Sequence, residues 1–138
     1  MKERLALVIA ALWWGSLTTL GFWVVPMLFA HLPTPALAGG MAGRLFSAQT
    51  GVSVACGTLL MLILASNTAL SIVHRSFYAI GLVVFATLMA LLVEFGVSPH
   101  ILARENLRLW HGVGSAMYFL QWMCVGLVLW RLTRRQAS

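Results

Sequence analysis

The chain has 138 residues, of which 61% are hydrophobic and 9% charged, and a formal net charge of +6. A water-soluble domain carries about 25% charged residues, so this composition lacks the polar surface that would face water. Its nine Lys and Arg fall at the termini and in short connections, not in a basic patch with interleaved aromatics, which speaks against nucleic acid as a partner.

Taken in order, Met1-Lys2-Glu3-Arg4 precedes an apolar run over 5–30. Ala36-Leu37-Ala38 before Gly39 resembles a signal cleavage site, but a signal h-region is only about 7 to 15 residues long. A run that reaches across a bilayer is expected to stay there as a retained anchor helix. Trp13 and Trp14 fall deep inside it, where an indole N–H has no water, and are expected to face other helices.

Thr34-Pro35 then starts a second helix. A hydroxyl at the cap accepts from an orphan N–H, and proline at the first position lacks the donor that would be stranded. Residues 35–44 are expected to project beyond the membrane for about 13 Å before the span 45–66 enters it beside Arg44. Residues 67–75 form a turn and 76–97 the third span, with Glu94 toward its far end. Ser98-Pro99 repeats the Thr34-Pro35 start, and Arg108-Leu109-Trp110 repeats Arg44-Leu45-Phe46. The expectation is a second shoulder over 99–108 and a fourth span over 109–130, bracketed by interfacial Trp110 and Trp130.

These elements predict an all-α polytopic membrane protein. It is a single domain over 1–138, a four-transmembrane-helix bundle made of two tandem helical hairpins. Because lipid gives apolar helices no hydrophobic drive to associate, small residues should mark the contacts. Gly39, Gly43, Gly51 and Ala55 on helix two and Gly112 and Ala116 on helix four carry that spacing, which predicts that helices two and four touch. Cys56 and Cys124 are expected to be small packing residues without a disulfide. Lys2, Arg4, Arg75, Arg131, Arg134 and Arg135 fall on one side against Arg44, Arg104 and Arg108 on the other. The positive-inside rule then places both termini in the cytoplasm of a cell with a bacterial-type inner membrane.

Trp14-Gly15, Pro26-Met27-Leu28-Phe29, Leu32-Pro33, Ala38-Gly39 and Arg44-Leu45-Phe46, in that order, resemble the transmembrane protein 205-like family, a four-helix domain of unknown function numbered 4149. Leu109-Trp110-His111-Gly112-Val113-Gly114-Ser115 resembles that family's histidine-glycine segment, although the asparagine expected after it is replaced here by Tyr118 and Gln121 as the nearby polar residues. The resemblance implies an integral membrane bundle and brings no activity with it.

Chemistry-bearing residues collect on the outer side: Arg44, Glu94, Arg104, Arg108 and His111, a candidate polar site. Glu94 is the one acid near a span, a functional candidate by default. Its plain alternative is pairing with Arg104 or Arg108 at headgroup depth. Arg44 and Arg108 at matching heights would attract anions to a path lined by Ser16, Thr18, Thr19, Ser53, Thr58, Ser115 and Gln121. A four-helix carrier would then work as a homodimer or within a larger membrane complex. Met27 and His31, one turn apart, with His111, form an alternative site for copper or haem iron. No nucleophile elbow, phosphate loop or paired carboxylates occur, so no cofactor is predicted and a non-enzymatic role is expected: a scaffold, an accessory subunit or a small-solute carrier.

Overall fold

Without water to bond to, a backbone in lipid must satisfy its N–H and C=O groups within its own segment, which selects helices. The computed structural model describes residues 2–66 and 73–136. Those residues form α1 (Lys2–Thr19), a π turn (Leu20–Val24), α2 (Val25–His31), α3 (Pro35–Ser66), α4 (Val73–Leu92), a second π turn (Val93–Val97), α5 (Ser98–Leu102) and α6 (Leu107–Gln136). Each π turn joins its neighbours end to end, so four helices are long and apolar enough to cross a membrane: Lys2–His31, Pro35–Ser66, Phe77–Leu102 and Leu107–Arg134. These are spans one to four. Of the turn expected at 67–75, residues 67–72 lie outside the described residues.

Each span packs on the two beside it, in the order one, two, three, four and back to one, so spans two and four lie on a diagonal. The buried positions recur at alternating steps of three and four. They are Ala6, Ala10, Trp13, Leu17 and Leu20 on span one, and Ala79, Val83, Ala86 and Ala90 on span three. That is the seam of helices crossing at a shallow angle, knobs into holes. On span two the seam is Ala38, Ala42, Gln49, Ser53, Gly57, Leu60 and Leu64. Alanine, valine, serine and glycine along these lines let the backbones approach, and dispersion across the contact replaces the missing hydrophobic drive.

Spans two and four still touch across that diagonal, through Ser53 with Gln121 at 2.9 Å and Phe46 with Tyr118 at 5.2 Å, but not on the expected face: Gly39 and Gly43 each follow a buried alanine by one residue, about 100° around the helix, and Gly51 and Ala55 lie two residues from the nearest buried position. A Cβ built on Gly39, Gly43, Gly51 or Gly112 meets nothing within 4 Å, and Ala55 and Ala116 are exposed. Bundle packing runs instead through Gly21, Gly57 and Gly126. A Cβ there would meet the Tyr118 ring at 2.6 Å, the Thr87 hydroxyl, and the Trp14 indole nitrogen at 2.8 Å, respectively. Gly43→Leu is accordingly expected to leave bundle stability within about 0.5 kcal/mol of the parent in an SDS titration in mixed micelles.

The second shoulder also differs. Ser98-Pro99 does not start helix four; it continues helix three, and helix four begins at Leu107. Asn106, in the left-handed region at φ 35 after Arg104 at φ 56, offers its Oδ1 to the Leu109 N–H at 3.4 Å. This short polar side chain tolerates the reversed backbone and caps the helix, so nothing is asked of Ser98. Thr34 does act at the start of span two, its hydroxyl accepting from the Leu37 N–H at 3.3 Å.

The internal echo lies elsewhere. Phe22-x-Val24-x-Pro26 in span one and Phe95-x-Val97-x-Pro99 in span three each run from a π turn into a proline. In the first, the Val25 N–H bonds to the Leu20 carbonyl. In the second, the Ser98 N–H bonds to the Val93 carbonyl. This five-residue step just before the proline lets the ladder absorb a residue that has no donor, which keeps both prolines inside membrane helices.

Candidate functional site

The polar side chains of the spans meet near mid-bundle. Ser53 on span two is fully buried and accepts two hydrogen bonds at its hydroxyl, from the Trp13 indole N–H at 3.0 Å and the Gln121 amide at 2.9 Å. Gln49, one turn before Ser53, donates to the Ser16 hydroxyl at 2.9 Å, which itself donates to the Trp13 carbonyl at 2.8 Å. Spans one, two and four are thereby joined by one connected set of bonds. Such bonds between membrane helices average about 0.6 kcal/mol each, so their larger effect is to set rotation and register.

A second set ties span four to span one. The Tyr118 hydroxyl donates to the Leu17 carbonyl at 2.8 Å, and the Gly21 N–H faces the Tyr118 hydroxyl oxygen. The phenol thus enters the backbone ladder of span one where the π turn starts, and a side chain inserted there bends a helix. Glycine at 21 leaves room for the ring. The Trp122 indole N–H donates to Thr18 Oγ1 at 2.8 Å, while Trp122 stacks with Trp14 at 5.5 Å and with Phe119 at 5.6 Å. Among the described residues, Trp14 Nε1 is the buried side-chain nitrogen without a hydrogen-bond partner.

Between spans two, three and four lies a cavity of about 10 Å³, with Gln49, Thr50, Ser53, Tyr118 and Gln121 on its polar side and Phe46, Ala90 and Val93 on the other. It has room for about one water.

The residues proposed from the sequence are not gathered into one place. Glu94, in the second π turn and half-buried, lies with its two carboxylate oxygens 2.8 and 3.0 Å from the Ser47 hydroxyl. Its partner is thus a serine of span two, not Arg104 or Arg108. Both of those arginines are exposed, as are Arg44 and His111. Arg44 stands beyond the second turn of span two while Arg108 is in the first turn of span four, so the two do not occupy equivalent positions. His31 donates from Nδ1 to the Met27 carbonyl at 3.0 Å. No group of three His, Cys, Asp or Glu able to hold a metal occurs among the described residues. His100 stacks on Trp110 at 4.0 Å and pairs with Glu105 at 2.7 Å, which closes the connection between spans three and four. Cys56 and Cys124 are free. Trp13 is wholly enclosed and Trp14 partly so, whereas Trp23 is 68% exposed.

Gln49, Ser47, Gly21 and Gly57 carry contacts that the sequence reading passed over. The signal for Gln49 was present: an amide and a hydroxyl one turn apart in an apolar span, at positions 49 and 53, lie on a single face.

A bundle of this length, apolar outside and hydrogen-bonded within, defines a four-helix integral membrane protein. Over residues 8–109 the chain matches the family model described as a domain of unknown function (DUF4149), and it belongs to that family. The match runs through spans one to three and stops at Leu109, so the histidine-glycine segment lies almost wholly beyond it. No curated protein and no solved structure matches the chain.

Proposed function

We propose that this is a non-enzymatic membrane protein that acts as a scaffold or accessory subunit, in a bacterial-type inner membrane with both termini in the cytoplasm. One observation supports this most: the polar groups of the core are largely spent on one another, and the space beside them holds about one water. A carrier needs a polar cavity that a solute can enter, and the cavity beside Gln49, Ser53 and Gln121 is too small for one. The sidedness rests on Lys2, Arg4, Arg131 and Arg134 standing at one end. The copper or haem alternative on Met27, His31 and His111 gains no support from their placement, since His31 is turned to the backbone of its own helix.

The test is accessibility of the core. In a Cys56→Ala, Cys124→Ala background, Ser53→Cys in intact membranes should resist a water-soluble maleimide from either side and label only after SDS denaturation. Gentle extraction should keep the protein in a complex larger than the monomer. Labelling of position 53 from one aqueous side, quenched by a solute, would replace this reading with the small-solute carrier.

A further inference from the structure

Where span four leaves the apolar region, its arginines are arranged in an unusual way. The Arg131 guanidinium lies over the Tyr78 ring of span three at 4.1 Å from the centroid. The Arg134 guanidinium lies over the Trp130 ring of its own helix at 4.5 Å. Among the described residues neither cation reaches a carboxylate within ion-pair distance, the one such pair being His100 with Glu105 at the opposite end. Both arginines are exposed.

Two like charges three residues apart are neighbours on a helix surface and repel. A guanidinium held over an aromatic ring is attracted to the ring face without using up its N–H donors, which can still meet an acceptor. The Tyr78 hydroxyl, on a half-exposed residue, makes no hydrogen bond among the described residues. Among the described residues the arrangement is a set of donors with a net positive charge and no carboxylate within ion-pair distance. Trp130 marks the membrane interface, since indoles settle at headgroup depth. The anion found at that depth is a phosphodiester, which the guanidinium fork matches in shape and charge.

We propose that Tyr78, Arg131 and Arg134, exposed on spans three and four, form a binding site for the phosphate headgroup of an anionic phospholipid. The aromatic rings position the cations and the cations hold the phosphate. An arginine near an anionic surface contributes about a fivefold change in binding, and loss of an exposed cation–π contact about threefold.

The full-length protein in nanodiscs of phosphatidylcholine with or without phosphatidylglycerol is the material for the test, with retained lipid counted by native mass spectrometry. The parent should retain one phosphatidylglycerol in preference to phosphatidylcholine. Arg131→Gln should lower that preference about fivefold. Tyr78→Leu, which keeps every charge, should lower it about threefold, and Tyr78→Phe less than Tyr78→Leu. These side chains face outward, so unchanged circular dichroism and a monodisperse elution profile confirm that a loss is one of binding. No preference for phosphatidylglycerol in the parent would overturn the proposal. So would full retention by both Arg131→Lys and Tyr78→Leu, which would reduce the patch to unstructured positive charge. Displacement of the lipid by millimolar inorganic phosphate would show that the site takes a soluble anion, and would overturn the lipid assignment.

Discussion

Trp13→Ala is expected to destabilise the bundle by about 3–5 kcal/mol, read as an earlier midpoint in an SDS titration of the protein in mixed micelles. Trp13 is fully enclosed and packs where spans one and two meet, its ring edge directed to Gly57. Truncation opens a hole that the surrounding helices fill only in part, and lipid cannot enter it. It also strips Ser53 of one of its two donors. The comparison with Trp13→Phe separates the two effects. Phenylalanine keeps most of the volume and loses the N–H, so it should cost about 1 kcal/mol, the size of a single hydrogen bond. Trp23→Ala, on the lipid face of the same helix, should change the midpoint little. Equal effects at positions 13 and 23 would show that span one is rotated from the orientation described.

Gly57→Ala is expected to cost about 1–3 kcal/mol, the range for forcing extra atoms into a filled core. The added methyl group would run into the Thr87 hydroxyl and come within 3.5 Å of the Trp13 ring. Thr87 has little freedom to withdraw, because its hydroxyl donates to the Val83 carbonyl at 2.9 Å and holds its rotamer. The double variant Gly57→Ala, Thr87→Ala should regain most of the loss, a coupling that two independent sites would not show. Gly51→Ala on the same span serves as control, since a Cβ there meets nothing within 4 Å. A neutral Gly57→Ala with no rescue would mean that spans two and three do not approach as closely as described.

The candidate site was legible in its ingredients and illegible in its partners. Ser16, Ser53 and Gln121 can be picked out as polar residues in apolar spans, and their convergence at mid-bundle follows from their similar depths. Their pairing does not: Ser53 takes bonds from two different helices, and no local pattern names Trp13 and Gln121 as its donors. Glu94 shows the same division. As a lone acid in a span it was conspicuous, and pairing with an arginine followed from charge alone. The π turn at 93–97 redirects that stretch of span three, and a serine on the neighbouring helix receives the carboxylate. Ser98-Pro99 has the sequence of a helix start, a capping hydroxyl before a proline that lacks the donor otherwise stranded there. In a packed membrane helix a widened turn accommodates it.

By itself, the sequence determined that this is a membrane protein with four helices long and apolar enough to cross. Those properties depend only on length and transfer free energy, which are sums along the chain. The tertiary structure alone decided which side of each helix is inside. In water, the contrast between polar and apolar faces orients a helix. In a bilayer nearly every face is apolar, so rotation is set by close approach at Gly21, Gly57 and Gly126 and by the few hydrogen bonds that must find partners away from water. The glycines at 39, 43 and 51 have the same chemistry as those that pack. They lie one or two residues off the buried line, and only the neighbouring helices could select between them.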